Sequence, residues 1–113
     1  ADRPAAWRAA EANLQPIEGE TELAPGVTAV TLPGHTPGSQ GVLVQTDSGR
    51  YLIAGDCVYL YENWAGDDQV EHIAIGLYTD LVAYDESLRK IETMDCEVIP
   101  SHDFAGVRRH RFG

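Results

Sequence analysis

Basic residues are scarce: 8 Lys and Arg stand against 18 Asp and Glu in 113 residues, leaving a formal charge of −10. Such a surface repels polyanions, so DNA and RNA are not expected as partners. The cations that do gather, Arg108, Arg109, His110 and Arg111, form a short basic run that reads as solvated surface. Cysteine is rarer still. Cys57 and Cys96 make neither a C-x-x-C pair nor a zinc-ribbon spacing. The expectation is two small buried side chains in a reducing compartment. No apolar run approaches the roughly 18 residues of a membrane span, and no charged-then-apolar leader is seen. These absences predict a soluble, cytoplasmic chain with no membrane partner. Its length suits one small domain, residues 1–113.

What is present is a punctuated apolar pattern. Residues 5–14 are rich in helix formers, with Asp2 as a cap and Pro4 in the first turn, and Pro16 ends the run. A helix met so abruptly suggests a preceding segment. Residues 17–20 read as a turn. After Pro25-Gly26, residues 27–32 alternate as a strand with Thr28, Val30 and Leu32 on one face. Residues 41–46 and 50–54 flank Asp47-Ser48-Gly49 and read as an antiparallel hairpin. Their nearly continuous apolar character predicts cover on both faces. Residues 60–76 lose period and read as a long loop, in which Tyr61 and Trp64 suit either a substrate wall or surface packing. Thr79 or Asp80 then caps a helix to about Met94, with Leu81, Tyr84, Leu88 and Ile91 on one face. Residues 96–100 form a short buried strand, and the chain from Phe104 is expected as coil or a last helical turn.

Three polar residues stand just beyond these apolar strands. His35 lies in the turn Pro33-Gly34-His35-Thr36-Pro37-Gly38, Asp56 follows Gly55 at the end of the hairpin, and His102 follows Ser101 after the last strand. Strand ends hold the backbone rigidly while turn residues let side chains point off the sheet. Neutral imidazoles and a carboxylate are ligands that suit zinc and related divalent ions. A bound ion lowers the pKa of water to about 7, which favours ester or amide hydrolysis. Each residue also has an ordinary alternative, a hydrogen-bonded loop histidine or a turn aspartate. The intervals from 35 to 56 and from 56 to 102 form no short ligand signature, so spacing leaves both readings open.

The order LPGHTPGSQ, apolar hairpin, AGDCVY, apolar helix and IPSHD resembles the C-terminal half of a metallo-β-lactamase-superfamily hydrolase. GHTPGSQ together with Gly55-Asp56-Cys57-Val58-Tyr59 is most similar to the N-acyl homoserine lactonases, the quorum-quenching branch. The resemblance implies an α/β fold: half of an αββα sandwich, a mostly antiparallel sheet flanked by helices. It also implies two divalent metal ions at one edge, with zinc the default for these ligands. His35 would bind the first ion, Asp56 would bridge both, and His102 would bind the second. Tyr59 matches the tyrosine that donates to the substrate carbonyl or developing oxyanion. The implied reaction opens a small-molecule lactone by attack of metal-bound hydroxide. Cys57, the next residue after Asp56, is expected to face the core rather than act as ligand or nucleophile.

The family's HxHxDH ligand motif has no counterpart in this sequence. Its four histidines, His35, His72, His102 and His110, never stand two residues apart. The chain is therefore expected to supply three ligands only, to be inactive alone, and to need a complementary N-terminal chain or segment carrying HxHxDH. A half-sandwich would expose an apolar sheet face, which favours such a partner. A homodimer is left open. Two other readings also stand: a hydrolase of another ester, thioester or cyclic amide, and a non-catalytic fragment or interaction domain.

Overall fold

A computed structural model describes residues 19–103 and 105; the expected helix over residues 5–14 and the basic run at 108–111 lie outside them. Five strands form one sheet in chain order: β1 (Thr21–Ala24), β2 (Val27–Thr31), β3 (Gln40–Thr46), β4 (Gly49–Ile53) and β5 (Glu97–Ile99). Neighbours are antiparallel as far as β4, whereas β4 and β5 run parallel. A parallel pair needs a long crossover. Two helices lie in that crossover, α1 (Tyr61–Ala65) and α2 (Leu81–Glu92). No described helix is long and apolar enough to cross a membrane.

The hairpin forms where the two apolar runs predict it, pairing Val42 with Ile53, Leu43 with Leu52 and Val44 with Tyr51. The register lines up Thr28, Leu43, Leu52 and Val98 across four strands. Val30, Leu32, Leu52 and Val98 are buried in one cluster with Tyr84, Leu88, Ile91 and Met94 from α2 and its end, and Leu43 packs against it. The helix starts at Asp80, whose carboxylate accepts the Ala83 N–H at 3.0 Å. Arg89 and Lys90 fall in its last turn, where the helix dipole favours cations.

Three expectations need correction, and one strand, β1, carries no sequence signal. Leu81 is not a core residue: it is 49% exposed, at the helix start beside an open cleft with Val70 and Ala74. The opposite face of the sheet is covered unevenly, buried at Ala29 and Tyr51 but 49% exposed at Ile53. β1 carries no apolar alternation; it is held by backbone pairing to β2, with Thr21 opposite Ala29. Residues 60–76 are not a single long loop. α1 interrupts them, tied by the buried Asn63, whose Oδ1 accepts the Leu60 N–H at 2.8 Å and whose Nδ2 donates to the Ile73 carbonyl at 3.0 Å. Trp64 packs against the core and stacks on His72 at 4.3 Å, so here it serves packing.

Both cysteines are free, Cys57 fully buried and Cys96 only half-buried. Burial pushes the Cys57 thiol up to about 12, as expected of a core residue and not of a nucleophile. The buried Tyr84 hydroxyl donates to the Cys57 carbonyl at 2.7 Å, joining α2 to the segment after β4. Tyr84→Phe strands that carbonyl without its partner. The expected loss is about 1–3 kcal/mol in denaturant unfolding, and an unchanged midpoint would show that the bond contributes nothing.

Candidate active site

The histidine turn between β2 and β3 is fastened to α2 through its carbonyls. Pro33 O accepts the Ser87 hydroxyl at 2.7 Å. Gly34 O accepts three donors, the Thr79 N–H at 2.8 Å, the Asp80 N–H at 3.1 Å and the Thr79 hydroxyl at 3.2 Å. Gly34 has φ 137, and a Cβ there would lie 2.4 Å from the Tyr84 Cα, so only glycine allows this approach. Within the turn, the Leu32 N–H donates to Ser39 O at 2.8 Å. His35 is thereby held with 14% of its side chain exposed.

Its Nδ1 donates to the Leu77 carbonyl at 2.8 Å. A carbonyl only accepts, so Nδ1 carries the hydrogen, and the neutral ring presents a lone pair at Nε2. That nitrogen faces Asp56 Oδ2 at 3.6 Å. Asp56 sits in a single 3-10 turn, Gly55–Cys57, directly after β4, which sends Cys57 inward and leaves the carboxylate at the rim.

His102 reaches the same carboxylate from β5. The Ser101 N–H donates to Val58 O at 2.9 Å and the His102 N–H to Tyr59 O at 2.8 Å, lashing the segment after β5 to the one after β4. His102 Nε2 then lies 3.3 Å from Asp56 Oδ1. The Tyr59 ring stands edge-on to both imidazoles, with centroids 4.6 Å from His102 and 5.8 Å from His35. Asp103 braces the segment: its carboxylate accepts the Tyr61 N–H at 3.0 Å and the Ala105 N–H at 2.9 Å, which hold its pKa below the usual carboxylate range. All four residues singled out in the sequence, His35, Asp56, Tyr59 and His102, come together at one edge of the sheet.

The donor set fits a divalent metal. Imidazole nitrogen and carboxylate oxygen are its usual ligands, and each Asp56 oxygen lies near a different imidazole, with the His35 Nε2 lone pair turned to Oδ2. A cleft of about 360 Å³ opens beside His35 and Asp56, lined also by Thr36, Ser39, Gln40 and Gly55. Two neighbours have no sequence signal: the Leu77 carbonyl, and the Ser101 hydroxyl, which donates to Asp56 Oδ1 at 3.2 Å.

A second group, Glu71, His72 and Glu92, brings ligand atoms within 4.8 Å of one another. Here the candidate ligand atoms already have protein partners. Arg89 Nη1 binds Glu71 at 2.5 Å and Glu92 at 2.9 Å, and His72 joins Glu92 at 2.6 Å and the Trp64 carbonyl at 2.6 Å. The hydrogen bond to His72 and then the Arg89 charge hold the Glu92 carboxyl low. This network ties residues 64–72 to α2 and leaves no open ligand set.

A family profile described as the metallo-beta-lactamase superfamily matches residues 3–102. An N-acyl homoserine lactonase from a Bacillus species is 43% identical over 56 residues, covering 49% of this chain and 22% of that protein. The N-acyl homoserine lactonase AiiA of Bacillus thuringiensis subsp. kurstaki is 41% identical over 59 residues, 51% of this chain and 23% of its own. A solved N-acyl homoserine lactone hydrolase, with the product N-hexanoyl-L-homoserine at its catalytic metal center, superposes with a TM-score of 0.68 at 25% identity. That match covers 84% of this chain and 38% of the other. The chain thus spans well under half the length of the proteins it matches. With a matched profile over nearly its whole length and a five-stranded sheet flanked by helices to carry it, the chain belongs to the metallo-beta-lactamase superfamily.

Proposed function

We propose that this chain is the C-terminal half of a metal-dependent lactone hydrolase acting on an N-acyl homoserine lactone or a close analogue. The observation that carries the reading is the Asp56 carboxylate, with Oδ2 turned to His35 Nε2 at 3.6 Å and Oδ1 to His102 Nε2 at 3.3 Å. His35 would hold one divalent ion, His102 would hold a second, and Asp56 would serve both; zinc suits the donors. The other ligands come from a complementary N-terminal chain or segment with HxHxDH, which completes the single domain. The lactonase relatives support the substrate class. The two free thiols fit a reducing, cytoplasmic setting.

When bound, the ions supply a nucleophilic water at neutral pH and polarise the lactone carbonyl. This chain's residues orient and stabilise. Asp56 turns its oxygens to His35 and His102 separately, as two ions would require, and the Leu77 carbonyl fixes the His35 tautomer through Nδ1. Tyr59, edge-on to both imidazoles, offers its phenolic O–H to the carbonyl oxygen as charge builds on it.

The test uses the protein with its complementary segment: two divalent ions per molecule and chelator-sensitive opening of an acyl homoserine lactone are expected. A metal-free yet active protein would sink the reading. In the same assay Tyr59→Phe should lower kcat by roughly 10²-fold, the scale of a lost oxyanion donor, with metal content unchanged. Loss of metal in that variant would instead mark Tyr59 as structural.

A further inference from the structure

We propose that Ser101 is a positioning residue: its hydroxyl fixes the plane of the Asp56 carboxylate so that each oxygen serves a different metal ion. The inference rests on the metallohydrolase reading and adds a residue to it. A bridging aspartate has an orientation problem. The torsion that turns its carboxylate is broad and nearly two-fold, and the Asp56 side chain is 47% exposed, so packing does not set it. Rotation by a quarter turn would take both oxygens out of line with His35 and His102.

Ser101 supplies the missing constraint from a fixed base. Its own N–H donates to Val58 O at 2.9 Å, and the next residue's to Tyr59 O at 2.8 Å, so its backbone is tied to the strand end that carries Asp56. From there the hydroxyl lies 3.2 Å from Asp56 Oδ1, closer than the 3.5 Å to its alternative acceptor, Val58 O. A hydroxyl has one hydrogen to give, and a carboxylate takes it more strongly than a neutral carbonyl. The bond reaches Oδ1, the oxygen facing His102, while Oδ2 stays turned to His35. One donor therefore sets both directions. It also leaves lone pairs on each oxygen for an ion.

The test compares Ser101→Ala and Ser101→Thr in the protein with its complementary segment. The readouts are zinc affinity by chelator competition, kcat and KM, and the thermal midpoint of metal-free protein. Outer contacts of this kind typically change metal affinity by about 10–100-fold. Ser101→Ala is expected to weaken zinc binding by about tenfold or more and to lower kcat with little change in KM. Ser101→Thr, which keeps the hydroxyl, should recover most of both, and the metal-free midpoints should agree. Wild-type zinc affinity in Ser101→Ala overturns the inference alone. So does a threonine variant as weak as alanine, or a midpoint that falls with the affinity, since each points to a cause other than the hydroxyl. Wild-type protein that binds no metal overturns the hydrolase reading, and this inference with it.

Discussion

Asp56→Ala in the protein with its complementary segment is expected to abolish retention of both metal ions and, with them, lactone hydrolysis. Outer contacts typically cost about 10–100-fold; a carboxylate facing Nε2 of both His35 and His102 should cost far more. Asp56→Asn keeps the size and removes the charge. Its amide offers one oxygen and one NH₂, so it cannot accept two cations, and it should lose metal nearly as fully. Neither change should unfold the protein, because Asp56 is about half exposed and such positions usually shift stability by less than about 0.5 kcal/mol. Metal analysis beside a denaturant curve separates the two effects. Wild-type turnover in Asp56→Ala would remove the mechanism.

Gly34→Ala is expected to have the largest effect on stability. The added Cβ meets the Tyr84 Cα at 2.4 Å, Cβ at 2.5 Å and N at 2.7 Å, atoms of α2's own backbone and its first side-chain carbon. A flexible tip could swing away; these cannot. The left-handed φ of 137 adds strain of about 1–3 kcal/mol, and forcing the helix aside adds about 1–3 more. Gly38→Ala is the control, in the same turn with open space around it and no unusual φ. The first variant should lower the unfolding free energy by about 2–6 kcal/mol and the second should change it little. Equal midpoints would show that the turn does not need to seat against α2.

Much of the fold was legible because its signals are local. The β3–β4 hairpin shows as two apolar runs around a short Gly-containing turn, and α2 shows as Asp80 followed by Tyr84, Leu88 and Ile91 at helical spacing. What stayed hidden depends on partners far along the chain. α1 is five residues, too short for a period, and Asn63 secures it by bonds to Leu60 and Ile73. β1 is polar and held by its backbone. The exposed Leu81 matches the helical period yet stands beside a cleft, because period reports a face and not what lies opposite it. At the site, residue types and a motif resemblance singled out His35, Asp56, Tyr59 and His102. Ser101 and the Leu77 carbonyl act through space across 45 and 42 positions, and no spacing rule reaches that far.

The groups that meet at the sheet edge are carried mainly by main-chain bonds. The Ser101 and His102 amides hold the carbonyls of Val58 and Tyr59, the Leu32 amide holds that of Ser39, and the Ala54 amide holds that of Ile99. Every non-proline residue has that amide, and every residue that carbonyl, so these ties survive almost any replacement of the side chains beside them. Divergence can therefore rewrite most of the sheet's surface while the anchor points stay put. The exceptions are the positions where a side chain, or its absence, does the holding, Gly34 foremost among them. Lineages descending from a chain built this way should drift freely in sequence yet change the reacting geometry only by a few discrete substitutions.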